Sequence, residues 1–143
     1  MILLDATALV AFLAEERAAG EVDSILRRGE AAIASVNLAE TLDHMMRVRG
    51  YDTDTIESKL VPLLATTLEL IPIGEAEARR GASVRAEHYH RQRAPLSMAD
   101  CLLIAAASLL QASIATGDEL LAAVARREGI DVTRLPAGQR RGP

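Results

Sequence analysis

Met1-Ile2-Leu3-Leu4-Asp5 constrains the fold more than any other stretch. Four apolar residues run directly into a carboxylate, and Ala6-Thr7-Ala8-Leu9-Val10 follows in helical register. A short unbroken apolar run reads as a strand covered on both faces, as in a parallel sheet. Asp5 then falls just past the strand's carboxyl end, where open α/β sheets bind their ligands. Glu40, Asp100 and Asp118 stand at similar boundaries. Four separate stretches are thus predicted to deliver four carboxylates to one place.

The rest of the chain alternates in kind. Residues 7–16 carry a helical apolar stripe that Gly20 is expected to break, and residues 21–28 make a second helix ended by Gly29. Residues 31–34 form a small-residue strand. Asn37 is expected to open a helix reaching about Arg49, and Asp54 to cap another that Pro62 kinks or divides. Residues 70–73 make a third strand, its Pro72 marking a strand end or a sheet edge. A helix over about 75–90, a buried helix over 97–110, a strand at 113–115, a helix at 119–127 and a strand at 130–132 follow. This alternation predicts a three-layer α/β/α sandwich around a mainly parallel sheet of about five strands. Residues 1–135 read as one domain, and 136–143 as a flexible tail rich in Gly, Pro and Arg.

Composition narrows the function. With one Phe, two Tyr and no Trp in a chain that is 50% hydrophobic, the core must be aliphatic. Ring platforms for stacking single-stranded bases are scarce. Cys101, the only cysteine, can make neither an internal disulfide nor a thiolate cage and reads as a small core residue. No basic region precedes Ile2 as a secretory leader would require, and no apolar run reaches the roughly 20 residues of a membrane span. A cytoplasmic location away from membranes is expected. The net charge of −4 hides an asymmetry: residues 1–75 hold 13 acids and 6 bases, residues 76–143 hold 7 acids and 10 bases. Lys59 is the sole lysine, and Arg forks suit phosphate. There is no Gly-x-Gly dinucleotide loop and no Walker loop.

Each acid has a local explanation. Asn37-x-x-Glu40 and Ser97-x-x-Asp100 match capping boxes, and Asp5 and Asp118 suit helix N-caps. Jointly they mean more. Right-handed crossovers bring the carboxyl ends of parallel strands to one sheet edge. Carboxylates about 5 Å apart repel by about 3 kcal/mol at an effective dielectric of 20, so some take up protons or a divalent cation binds. Oxygen ligands without His or Cys select Mg²⁺ or Mn²⁺, ions suited to phosphodiester hydrolysis.

Leu4-Asp5-Ala6-Thr7-Ala8-Leu9, Asn37-Leu38-Ala39-Glu40, Leu96-Ser97-Met98-Ala99-Asp100, Ala115-Thr116-Gly117-Asp118 and Glu128-Gly129-Ile130-Asp131-Val132 occur in this order along the chain. In order and spacing the chain resembles PIN-domain endoribonucleases, most of all the VapC-type toxins of bacterial toxin–antitoxin pairs. The resemblance implies that Asp5, Glu40 and Asp100 are the principal metal-site acids, with Asp118 a direct or water-mediated ligand. Thr7, Asn37, Ser97 and Thr116 would orient those acids or touch the scissile phosphate. Glu119 leaves open which of two adjacent carboxylates faces the ion. The resemblance further implies Mg²⁺-dependent cleavage of RNA, with Mn²⁺ substituting, and a homodimer. It also implies a small VapB-type antitoxin, which contacts DNA on the toxin's behalf. A PIN-like binding or autoregulatory subunit and a PIN nuclease outside any toxin pair remain the alternatives.

Two other groups compete for a role. Arg79, Arg80, Arg85, Arg91 and Arg93 form a basic run readable as a solvated face, or as an RNA or antitoxin contact. His88 and His90, two apart on a helix, cannot share an ion; with His44 they are expected at the surface.

Overall fold

The computed structural model describes residues 1–138. Residues 139–143 of the segment expected to be flexible lie outside the described residues. Five strands, β1 (Ile2–Leu4), β2 (Ala31–Ala34), β3 (Glu69–Ile71), β4 (Ser113–Thr116) and β5 (Val132–Arg134), form one sheet in the order β3-β2-β1-β4-β5. Every pairing is parallel. Seven helices cover it: α1 (Ala6–Leu13), α2 (Ala19–Arg27), α3 (Ser35–Asp43), α4 (Thr53–Thr66), α5 (Glu75–His88), α6 (Met98–Leu110) and α7 (Glu119–Arg127).

Successive strand residues face opposite layers, and both layers are apolar. Ile2, Leu4, Ala31, Ile33 and Ala115 join the core built with α1, α2 and α4. Leu3, Ala32 and Ile114 join the core built with α5, α6 and α7. Leu3, Leu4 and Ile33 have no exposed surface; burying each such side chain contributes about 1.5–3 kcal/mol. The strands therefore read as continuous apolar runs. The chain steps from β1 outward through β2 to β3, then returns so that β4 lies on the other side of β1. The order reverses between β1 and β4, which makes their carboxyl ends the natural ligand crevice. Asp5 follows β1 directly; Thr116 ends β4.

Several boundaries differ from the sequence reading. α2 begins at Ala19, so Gly20 lies inside it rather than before it. α3 begins at Ser35, two residues before Asn37, because the chain turns immediately after the extended Ala34. Asn37 is therefore in the first turn and does not cap. A π-helical turn over His44–Val48 continues α3. Asp52, not Asp54, caps α4 by accepting from the Thr55 N–H at 2.7 Å, and α4 runs unbroken through Pro62. β5 starts two residues later than expected, since the Ile130 N–H still bonds the Ala125 carbonyl. β3 is an edge strand ending before Pro72, as the proline required.

Gly81 sets how closely α5 approaches α6. A Cβ there would stand 2.8 Å from Leu102 Cδ2 and 3.4 Å from the Cys101 carbonyl oxygen. Because α6 carries Asp100 in its first turn, this contact also positions the acid. Gly81→Val should lower stability by about 1–3 kcal/mol through overpacking. Gly20→Ala, with nothing within 4 Å of the new carbon, should raise it by up to about 1 kcal/mol. Urea denaturation of both variants checks the pair.

Candidate active site

Asp5 is the most constrained of the four acids and is 3% exposed. It is the N-cap of α1, its Oδ1 accepting from the Ala8 N–H at 2.9 Å. The Thr7 hydroxyl donates to the same oxygen at 2.7 Å, and the Thr116 hydroxyl donates to Oδ2. Each threonine oxygen in turn accepts a backbone N–H: Thr7 from Gly117 at 3.0 Å, Thr116 from Asp118 at 2.9 Å. With those lone pairs engaged, both hydroxyl protons point at Asp5. The β1–α1 and β4–α7 connections are thereby stitched together around one carboxylate.

Asp118 caps α7 through Oδ1, which accepts from the Leu121 N–H at 2.9 Å. Ser97 caps α6 by accepting the Asp100 N–H at 3.0 Å. Glu40 is held differently. The fully buried Asn37 donates from Nδ2 to Glu40 Oε1 at 3.0 Å, while its Oδ1 is buried with no hydrogen-bond partner. Donation to a carboxylate fixes which way the amide points and leaves that acceptor open.

The four acids share one electrostatic neighbourhood. Burial, first, and then the charges of Glu40, Asp118 and Asp5 push the Asp100 carboxyl up to about 6. Burial also raises Asp5, with the charge of Asp118 adding to it despite three hydrogen bonds that pull it down. Glu40 is raised by burial and, more weakly, by Asp5. Among the described residues no Lys, Arg or His forms an ion pair with any of the four. Negative charge is concentrated without a protein counter-charge, which favours proton uptake or a hard divalent cation.

Glu119 is not part of this group. Its side chain is 93% exposed and lies 3.8 Å from Arg134. The arginine run is dispersed as well. Arg79 pairs with Glu75, Arg80, Arg91 and Arg93 are exposed, and Arg85 stacks on Tyr89 while donating to the Leu96 carbonyl. Cys101 is buried, and burial pushes its thiol up to about 11, so it is unreactive. His90 is exposed. The expectation for His88 is corrected: its side chain is only 11% exposed, because the end of α5 sets it beside Glu128.

Sequence reasoning missed a cavity of about 460 Å³ that shares Thr7, Glu40 and Gly117 with the acid group. Glu16, Asp43, His44, Arg47 and Arg49 also line it. Positions 40, 44 and 47 share one face of a helix, a spacing that would have drawn attention to His44 and Arg47. Arg49 pairs with the buried Glu16.

The chain matches the PIN domain family over residues 2–132. No curated protein matches it significantly. Among solved structures it is similar to a DNA-bound VapBC from Salmonella typhimurium, with a TM-score of 0.71, 15% identity, and coverage of 94% of this chain and 98% of that one. VapBC2 from Rickettsia felis, bound to a DNA fragment from its promoter, gives a TM-score of 0.70 at 20% identity over 94% and 98% of the two chains. A toxin–antitoxin complex from Klebsiella pneumoniae gives 0.61 at 19% identity over 82% and 87%.

The raised acids make stability pH-dependent in a specific sense. The Asp100 carboxyl, near 6 when folded against 3.8 for a free aspartate, binds its proton more tightly in the folded state. Folding then loses stability as pH rises from about 4 to 6, and the full penalty applies above that. In metal-free solution Asp100→Asn should be more stable than wild type at pH 7, by up to about 3 kcal/mol, with the gap closing below pH 4. Urea denaturation at several pH values in chelator checks this; a gap independent of pH would contradict the assigned charge crowding.

Proposed function

The chain belongs to the PIN domain family, and from that premise we propose that it is a divalent-metal-dependent endoribonuclease, the toxin of a toxin–antitoxin pair. The observation that carries the reading is the unpaired group of four carboxyls at the sheet's switch point, three of them pushed up by burial and by one another. Asp5, Glu40, Asp100 and Asp118 would hold Mg²⁺, or Mn²⁺ in its place. Such an ion supplies Lewis acidity at a phosphoryl oxygen and lowers the pKa of water.

The chain's own residues do the positioning. Thr7 and Thr116 keep both Asp5 oxygens oriented. Asn37 holds Glu40 through Nδ2, while its own Oδ1 is buried without a hydrogen-bond partner. The adjoining cavity offers the nucleic acid a path past His44, Arg47 and Arg49. Arg47 is held by Asp43 in an exposed i,i+4 pair, a contact that solvent screens, so a phosphate can displace it. Arg80 and Arg85 on α5, with Arg91 and Arg93 in the segment that follows it, would serve RNA or a small antitoxin. The similarity to a toxin–antitoxin complex and to DNA-bound VapBC complexes motivates the antitoxin partner and DNA contact through it; a homodimer is proposed from the family resemblance alone. Among the described residues no helix is long and apolar enough to cross a membrane.

Purified protein incubated with structured RNA should cleave it with Mg²⁺ or Mn²⁺ and not with chelator. Asp100→Asn should cut the rate about 10²-fold or more while folding normally; cleavage surviving either change would overturn the reading. Mn²⁺ at about 100 times its dissociation constant should stabilise wild type by about 2.7 kcal/mol.

RNA affinity measured against salt tests the path. Arg47→Gln with Arg49→Gln should lower the slope by about 0.7 for each lost phosphate contact. Arg85→Gln with Arg91→Gln, titrated in parallel, should lower the slope likewise, and an unchanged slope would assign those two arginines to solvent.

A further inference from the structure

A second potential metal centre stands apart from the four acids, on none of the residues given a role above. Glu87, His88 and Glu128 each offer one ligand atom, and these atoms all lie within 4.8 Å of one another. His88 Nε2 is 3.6 Å from Glu128 Oε1 and 3.9 Å from Glu87 Oε2. That nitrogen is buried and makes no hydrogen bond, in a side chain only 11% exposed. A buried, unpartnered ring nitrogen aimed between two carboxylates calls for an explanation.

Both separations exceed the 2.7–3.2 Å of a hydrogen bond, so neither carboxylate satisfies Nε2. A cation seated among the three atoms would give that nitrogen a partner. Ligands about 2.0–2.2 Å from a tetrahedral zinc lie about 3.4 Å from one another; the two separations from His88, 3.6 and 3.9 Å, are close to that, and the two carboxylates, within 4.8 Å of each other, must draw together. Glu87, 69% exposed, is free to make that movement. The site also lies at two helix ends: His88 is the last residue of α5 and Glu128 the C-cap of α7. Carbonyl ends favour positive charge.

We propose that Glu87, His88 and Glu128 bind a zinc-type divalent cation, with solvent completing its shell. One imidazole nitrogen and two carboxylates select a borderline ion over Mg²⁺, the reverse of the all-oxygen group at the switch point. The bound ion pins the end of α5, the helix packed against the one bearing Asp100, to the end of α7, the helix capped by Asp118. Its role is structural support of the acid site from behind.

The test uses the full chain stripped of metal and held in excess Mg²⁺ to compete at the all-oxygen group, and the new site is read from the difference between wild type and the variants below. Co²⁺ should bind and give visible d–d absorption, and Zn²⁺ should raise the melting temperature. His88→Gln and Glu128→Gln should each weaken Co²⁺ binding by about ten-fold or more and abolish the Zn²⁺ shift. Equal Co²⁺ affinity in wild type and both variants, or no Zn²⁺ shift in wild type, would overturn the site. Should His88→Gln fail to fold, Glu87→Gln alters only a solvent-facing side chain; unchanged Co²⁺ affinity in it and in Glu128→Gln together would overturn the site equally.

Discussion

The carboxylate of Asp5 is the constraint on which the molecule depends. It is withdrawn from water, which favours its neutral form, yet it accepts from Thr7, Ala8 and Thr116, which favours the charged one. Those donors come from two connections 111 residues apart in sequence. One side chain therefore closes the first turn of α1, ties the ends of β1 and β4 together, and contributes charge to the crevice between them. The junction stands between β1 and β4, where the order in which strands are added reverses. That is why a single buried acid can serve topology and chemistry together.

Much of this was legible in the residues because it follows from local rules. The run Ile2-Leu3-Leu4 is uniformly apolar because both faces of β1 are covered. α7 begins and ends where its cap and glycine say. What was not legible depends on tertiary context. Asn37 looks like a cap, but the chain enters α3 at Ser35, and the amide is used inside the helix to hold Glu40. His88 looks like a surface residue from its neighbours in sequence, and its burial comes from Glu128, forty residues on. Arg47 and Arg49 sit in the acidic half, so a reading by charge blocks passed over them. The π-helical turn that carries Arg47 onto the cavity has no sequence signature of its own.

The charge distribution also separates two kinds of acid. Asp23, Asp43 and Glu75 pair with arginines on exposed helix faces at i,i+4 spacing, where the interaction is weak and screened. Asp5, Glu40, Asp100 and Asp118 have no such partners among the described residues, and neutral donors orient them. Hydroxyls, an amide and backbone N–H groups orient a carboxylate without cancelling its charge. An arginine would have stabilised the fold and filled the place a cation would take.

Capping and ion binding, finally, are not competing explanations of the same residues. A cap uses one lone pair on one oxygen: Asp118 accepts from Leu121 with Oδ1, and Asp5 accepts from Ala8 with Oδ1. A carboxylate has about four such positions, so the cap fixes the rotamer and leaves acceptor capacity facing the crevice. Helix N-termini tolerate this concentration of negative charge because their unsatisfied N–H groups are partly positive. The local rule that makes Asp5, Ser97 and Asp118 good helix starts is thus what permits acids to accumulate at one edge of the sheet. Burial then raises the energy of that accumulation enough to make a divalent cation its most effective counterpart.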